Sequence, residues 1–415
     1  VRSYTQPAKI IVIAGSFPVR SETFIKQHVL GLADRGYCVS AISCGSSKDI
    51  QYCEIEEIDR AGVKRINVPC FGQSQFQNLY RVLTVSIRHT KMLKYLSTSP
   101  PWTRREMFWA REIWQVIDEI EPDVLHIHSG SRAGALVRYR LPQCPTVVTW
   151  HGPDANHMPE VRGKLMYQEL FGLPLIHTVG SAFMQQRVES LGAASKQITK
   201  VPMGIDTNYF TYKERVIATA QPLRIVSVGR LVEVKGHAFL IQAVSELLDE
   251  GQNLELKIVG YGPLKQLLNV QVHDSKHSSK IQLVGAKTSH EVLCELQAAD
   301  LFCLTGVRSF SGEIEAQGVV FAEAQATGLP VIASSIGGMP DSLIDGETGL
   351  LCPPGDVSAI KRAIRFFLED REAVVRFGRQ GRKFVESKFS ANSMIDSFEN
   401  LYASTTVDHL SSSYR

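Results

Sequence analysis

Two glutamates with seven residues between them, Glu315 and Glu323, stand in the stretch from Arg308 to Gly349, RSFSGEIEAQGVVFAEAQATGLPVIASSIGGMPDSLIDGETG. Gly318 lies between them and opens a helix-forming run, VVFAEAQAT, that begins at Val319. Gly328 stops the run, and Leu329-Pro330 lead into a β-branched strand at Val331-Ile332. A helix entered through glycine, just after a strand of a parallel sheet, starts with unpaired backbone N–H groups, and such groups receive anions. Glu315 falls in the loop before that start and Glu323 in the second helical turn. An anion-accepting helix start flanked by carboxylates suits a ligand with a diphosphate in its middle and hydroxyls at both ends, such as a nucleotide sugar. A second cluster points the same way. In LRIVSVGRLVEVKG, Gly229-Arg230 follow a strand and Lys235-Gly236 precede a helix. A guanidinium chelates two phosphate oxygens and an ammonium adds a point charge beside them.

The elements that must hold these residues alternate. Short apolar strands and helical stretches follow one another through both halves, the pattern of parallel sheets with crossover helices. Strands are predicted at Ile10-Ile13, Cys38-Ser43, Val63-Val68, Val124-His128, Thr146-Trp150 and Leu175-Val179 in the first half. In the second they are predicted at Arg224-Val228, Glu255-Val259, Ile281-Val284, Leu301-Leu304 and Val331-Ala333. At 415 residues the chain is long enough for two domains, each with its own core. A net charge of +3 is too small to imply a nucleic-acid partner. No apolar run reaches membrane-spanning length, and VRSYTQPAK lacks a signal-peptide core, so a cytoplasmic location is expected. The eight cysteines include no C-x-x-C pair and read as buried thiols of a reducing compartment.

Three strand ends in the first half carry polar side chains. AGSFPVRSETF leaves the first strand and enters a helix with Ser21 as its cap and Glu22 and Thr23 in its first turn. DVLHIHSGSRAG ends a strand in His126 and His128, which alternation puts on one side. His128, at the carboxyl end, is placed to face a cleft, and the other ring reads as a core histidine. As a metal pair they lack a third ligand nearby. TWHGPDAN ends a strand in His151, followed by Gly152. Between Tyr80 and Trp114, basic residues from Arg81 to Arg111 interleave with Leu83, Ile87, Trp102, Phe108, Trp109 and Trp114. That composition fits either a surface resting on anionic lipid headgroups or an ordinary helix pair with a core-facing stripe.

The run EAQGVVFAEAQATGLPVIAS, with the GG pair after it, resembles the signature of retaining glycosyltransferase family 4, which has the GT-B fold. GRL-x3-KG is similar to that family's diphosphate clamp, and VPMGID (Val201 to Asp206) to its interdomain connection. The resemblance implies two Rossmann-like domains with a deep cleft between them. Residues 1–205 would form the acceptor domain and 206–389 the nucleotide-sugar domain, with a last helix over 390–405 crossing back to the first. It implies that Glu315 lies against the donor sugar and Glu323 binds the ribose hydroxyls. Gly229, Arg230, Lys235, Gly318 and Val319 would receive the diphosphate, and the backbone at Gly285 and Ala286, in LVGAKTSHEV, the base. His151 would contact the sugar near its reaction centre. Many members have a Gly-Gly pair in the first turn, where this chain has Gly15-Ser16-Phe17-Pro18. Its SETF version is similar to exopolysaccharide-building members. Gly15, Ser16, Glu22, Thr23 and His128 are therefore assigned to the donor-sugar or acceptor side.

Sugar transfer builds negative charge on the departing diphosphate. No Asp-x-Asp motif is present to hold a metal ion there. The charge then falls to Arg230, Lys235 and the helix starting near Gly318, and no metal or other cofactor is expected. The expected activity is transfer of a hexose, with retention, from a UDP-sugar such as UDP-glucose to a saccharide or lipid-linked acceptor of surface polysaccharide, at the inner face of the membrane. Two other readings compete. A non-catalytic relative would bind the nucleotide sugar without transfer. A dinucleotide oxidoreductase would need the G-x-G-x-x-G turn that the first strand lacks.

Overall fold

A computed structural model describes residues 7–19, 22–43, 52–68, 101–215 and 220–412. The chain divides into two compact units. The first comprises residues 1–179, 187–199 and 395–415, and the second residues 180–186 and 200–394. The division thus runs at Thr199/Lys200, a few residues before the expected 205/206 boundary, and hands Gly180–Gln186 to the second unit.

The first unit is built on a sheet of seven strands: β1 (Lys9–Ala14), β2 (Cys38–Ser43), β3 (Lys64–Asn67), β4 (Val124–His128), β5 (Thr146–Trp150), β6 (Ile176–Val179) and β7 (Ile198–Lys200). Their spatial order is β3-β2-β1-β4-β5-β6-β7. The second unit holds β8 (Leu223–Val228), β9 (Leu254–Val259), β10 (Ile281–Gly285), β11 (Leu301–Leu304), β12 (Val331–Ser334) and β13 (Gly349–Cys352). These run β10-β9-β8-β11-β12-β13, all parallel. In each sheet the strand order reverses once, beside the first strand, between β1 and β4 and between β8 and β11. Loops at the carboxyl ends of those strands diverge there and leave a ligand crevice. The two short strands β7 and β13 were not anticipated: three or four residues each, they carry too little pattern to stand out.

Strand composition explains the layering. Runs such as KIIVIA and VLHIH are buried along nearly their whole length, as strands covered by helices on both faces must be. In the second sheet alternation splits each strand between two cores. Ile225, Cys303 and Ile332 pack on one side with the helices His237–Asp249 and Val357–Glu369. Val226, Phe302, Leu304, Val331 and Ala333 pack on the other, with Phe321 of the helix Val319–Ala326. Burying each Val, Leu, Ile or Phe among these contributes about 1.5–3 kcal/mol. Asp356 and Asp370 cap the helices Val357–Glu369 and Arg371–Lys388 by accepting the N–H groups of Ala359 and Ala373.

Several expectations are corrected. The first helix spans Thr23–Asp34 with Glu22 at the cap position and no side-chain cap bond, and Ser21 lies outside the described residues. The last helix runs over Ala391–Ser412, beyond the expected end at Thr405, and its residues from Ile395 onward group with the first unit. Of the basic, aromatic stretch, residues 80–100 lie outside the described residues. Phe108, Trp109 and Trp114, on the helix Pro101–Ile120, are buried core rather than a lipid-facing surface. Among the described residues no helix is long and apolar enough to cross a membrane. Cys38, Cys144, Cys294, Cys303 and Cys352 are free thiols, with Cys303 and Cys352 buried and Cys38 and Cys294 exposed.

Candidate active site

In the second unit the carboxyl ends of β8 and β11 collect the predicted clamp. β8 ends at Val228, and Gly229-Arg230 follow. A short turn at Glu233–Lys235 then leads through Gly236, whose φ of 64° is left-handed, into the helix His237–Asp249. A side chain at Gly236 would meet the Thr305 carbonyl oxygen at 1.9 Å, so glycine is what lets this turn sit against the loop after β11. The Lys235 stem runs beside Gly229, where a Cβ would stand in ordinary van der Waals contact with its carbons at 3.5–3.6 Å.

Lys235 Nζ pairs with the Glu315 carboxylate, and both side chains are mostly shielded from solvent. Burial alone would raise the Glu315 carboxyl, but Lys235 and the exposed Arg230 outweigh it and hold the group below its ordinary 4.5. A depressed carboxylate contributes stability that is present above its unfolded-state pKa. That contribution is lost as pH falls through the folded value. Gly318, with φ of 79°, caps the helix Val319–Ala326, and a Cβ there would lie 3.7 Å from Glu315 Cγ. Arg230, Lys235, Glu315 and the helix start are therefore one group. Glu323, half-buried in the second turn, is crowded by protein, and burial pushes its carboxyl up to about 7.

Glycines fasten this group from behind. Gly338 N–H donates to the Glu315 carbonyl at 2.9 Å, and a Cβ on Gly338 would stand 1.8 Å from the Ala316 oxygen. Gln317 lies buried and reads the backbone of the VPMGID segment: its Oε1 accepts from Met203 N–H at 2.9 Å and its Nε2 donates to Met203 O at 3.2 Å. Gly285, at the end of edge strand β10 with φ of 80°, accepts the Gly260 N–H at 2.9 Å. Gly260 in turn packs on the Gly229 carbonyl, and Ala286 is exposed beyond Gly285. Gly260 and Gly262 were missed in the sequence, although the spacing V-G-Y-G-P just after a strand is the signal that marks them.

In the first unit, the carboxyl ends of β1, β4 and β5 bring Gly15, His128 and His151 together around Arg132. The Arg132 guanidinium lies over Gly15, where a Cβ would meet its Nη2 at 2.5 Å. Burial raises the nearby Glu22 carboxyl against the pull of Arg132. Ser16 and Thr23 are half-buried in the same turn. His151 is half-buried, and its ring stacks on His128 at 5.4 Å and leans on Phe24 at 5.1 Å. Asp154 accepts the backbone N–H groups of Gly130 and His151 at 2.7 and 2.9 Å, while burial pushes its carboxyl up to about 7.

Two expectations for the histidines are corrected. His128 is not an exposed ring but is 2% accessible, because the helix Thr23–Asp34 covers it. A third imidazole does stand near the pair: His28, from that helix, brings one nitrogen of each of the three rings within 4.8 Å of the others. Arg132, Asp154, His28 and Tyr402 were all missed as members of this group.

The sequence pattern described as "Glycosyltransferase Family 4" matches residues 21–209, and that described as "Glycosyl transferases group 1" matches residues 211–384. The amylovoran biosynthesis glycosyltransferase AmsK of Erwinia amylovora is 28% identical over 92% of this chain and 96% of its own. The colanic acid biosynthesis glycosyltransferase WcaL of Escherichia coli is 26% identical over 90% of this chain and 94% of its own. Among solved structures, Anabaena Alr3699/HepE in complex with UDP-glucose superposes with a TM-score of 0.70 at 15% identity, over 96% of this chain and all of the other. Paired Rossmann-like sheets, the two family patterns dividing the sequence, and relatives matched almost end to end lead to one assignment: the chain is a glycosyltransferase of family 4, with the GT-B fold.

Proposed function

We propose that the chain transfers a hexose from a UDP-sugar, with UDP-glucose the first candidate, to a saccharide or lipid-linked acceptor in exopolysaccharide assembly, with retention and without a metal ion. The convergence of Arg230, Lys235, Glu315 and the Gly318 helix start at the ends of β8 and β11 carries this reading. Arg230 and Lys235 meet the charge that grows on the leaving diphosphate. Donor binding draws Lys235 toward phosphate and frees Glu315 to hold the sugar hydroxyls and balance charge on the ring. Glu323 takes the ribose hydroxyls, Gly285 and Ala286 the base. In the first unit His151 faces the sugar, while Gly15, Ser16, Glu22 and Thr23 border the donor-sugar or acceptor side. The exopolysaccharide context rests on AmsK and WcaL, whose names place them in amylovoran and colanic acid biosynthesis. A cytoplasmic location at an anionic membrane surface is part of the proposal.

A thermal-shift panel of UDP-, GDP- and ADP-sugars tests the donor, since a ligand bound only by the native state raises its stability. UDP compounds are expected to shift the transition and the others to leave it in place. Turnover with the selected donor should survive chelator, and NMR of the product should show the donor's anomeric configuration. Activity lost to chelator and restored by magnesium would remove the metal-free clamp.

Glu323 gives this reading a pH signature. An ionised carboxylate accepts both ribose hydroxyls, and the free carboxyl titrates at about 7. Binding therefore releases a proton below that pH, and UDP should bind roughly tenfold more weakly at pH 6 than at pH 8. Titration calorimetry on Glu323→Gln, in which the nucleotide's own ionisation is unchanged, should lose most of that slope. An unchanged slope would mean Glu323 does not meet the ribose.

A further inference from the structure

Behind His151 the buried polar groups of the first unit form one unbroken line. Thr178 Oγ1 meets Thr149 Oγ1 at 2.6 Å, which meets His126 Nε2 at 2.6 Å. His126 Nδ1 meets the Tyr402 hydroxyl at 2.6 Å, and that hydroxyl meets His28 Nε2 at 2.9 Å. His28 Nδ1 meets His128 Nε2 at 3.0 Å, and His128 Nδ1 meets His151 Nε2 at 3.2 Å. Every member short of His151 is at least nine-tenths buried. Phe398, from the terminal helix, packs against the rings of His28 and His126.

A neutral imidazole has one donor and one acceptor. Burial lowers all four rings far enough to keep them neutral at physiological pH, His28 to about 3 and His151 to about 4. Each interior ring, with both nitrogens engaged, must donate on one side and accept on the other. The choice made at one ring is thereby imposed on the next. Tyr402 has a single hydroxyl proton and lies within hydrogen-bond distance of two ring nitrogens, so it donates to at most one of them. With that proton in the line, two arrangements remain: all rings protonated on Nε2, or all on Nδ1. The His151 end decides between them. There the ring and Asp154 form a capping box, with the Asp154 carboxylate accepting the His151 backbone N–H and the ring accepting the Asp154 N–H. The nitrogen left for that role is Nδ1, so the proton sits on Nε2.

We propose that His28, His126 and Tyr402 are positioning residues that act through this relay to hold His151 in one tautomer and one orientation for the transfer reaction. The proposal rests on the reading of His151 as a residue facing the sugar. It gives the terminal helix a role in activity, because Tyr402 lies on it. The same three rings have the spacing of a metal site, but each of their nitrogens already has a hydrogen-bond partner, and the relay accounts for all of them.

Cutting the line creates a conflict. With Phe at position 402, His28 must bury an Nε2–H without an acceptor or reverse its tautomer. Reversal passes through His128 and sets a His151 Nδ1–H against the Asp154 N–H. Full-length protein labelled with ¹⁵N-histidine reports tautomers directly through two-bond ¹⁵N–¹H correlations. Wild type should show Nε2–H on all four rings. Tyr402→Phe should show mixed tautomers at His151 and lose on the order of tenfold in kcat, with the Kd for UDP unchanged. Thr149→Val, close to isosteric, cuts the far end and serves should Tyr402→Phe fold poorly. A single unchanged tautomer at His151 in the folded variant, full turnover despite mixing, or about one zinc per chain in metal analysis would overturn the relay. Wild-type protein inactive with every donor would instead sink the functional reading, and the tautomer spectra would still decide the relay.

Discussion

Lys235→Ala should lower turnover by at least about a hundredfold while the circular dichroism spectrum stays that of the native fold. In the proposed mechanism the variant removes a preorganised cation aimed at the leaving diphosphate, a loss of roughly 3–4 kcal/mol of transition-state stabilisation. It also unbalances Glu315. That carboxyl is kept low only because Lys235 and Arg230 outweigh its burial, so without Lys235 it should shift upward and lose part of its charge near neutral pH. Two defects then share one cause, and Lys235→Ala combined with Glu315→Gln should cost much less than the sum of the single losses. Arg230→Ala, which leaves the Lys235–Glu315 pair intact, should cost about as much in turnover with a weaker coupling to Glu315→Gln, because Arg230 acts on that carboxyl through its charge alone. Steady-state kinetics of the three single and two double variants test the clamp. Near-wild-type turnover in either cation variant would refute it, and strict additivity of Lys235 with Glu315 would show that the pair does not act as a unit.

The grouping of Arg230, Lys235, Glu315 and Gly318 was legible in the sequence because its signals are local. Glycine at 318, carboxylates on either side, and cations just past a strand each declare themselves within a dozen residues. The strands were legible for the same reason, as β-branched runs bounded by turns. The histidine line was not. His28 and His128 are 100 positions apart and His28 and Tyr402 are 374 apart, so only the sheet order and the terminal helix bring them together. His28 on its own looks like any polar residue of an amphipathic helix, and Tyr402 like an ordinary aromatic of a terminal one. The aromatic, basic stretch left two readings open, and for its described part the core-facing stripe holds. Trp109 and Trp114 are interleaved with arginines in sequence, yet helical periodicity turns them inward.

A methyl group at position 338 should be nearly as damaging to catalysis as loss of a charged side chain, although Gly338 touches no substrate in the proposed mechanism. Its φ is −87°, which alanine adopts freely, so backbone strain plays no part. The whole effect comes from contact. A Cβ there would stand 1.8 Å from the Ala316 carbonyl oxygen and 2.8 Å from Ser181 Oγ, which itself donates to that carbonyl at 2.6 Å. The oxygen belongs to the backbone and has no rotamer to turn away, so the Glu315–Ala316 segment must move. Overpacking of this kind costs about 1–3 kcal/mol, or roughly 4–8 °C in Tm for a loss near 2 kcal/mol in a unit of this size. Catalysis should suffer more, since a displacement near 1 Å at a positioned group costs on the order of a hundredfold. Gly346→Ala separates the two effects. Gly346 has φ of 76° with nothing within 4 Å of a Cβ, so alanine there adds about 1–2 kcal/mol of left-handed strain and no collision. Matched Tm losses with turnover lost only in Gly338→Ala would show that the glycine pair acts by fixing where Glu315 stands. Equal turnover in the two variants would show that the segment gives way without consequence.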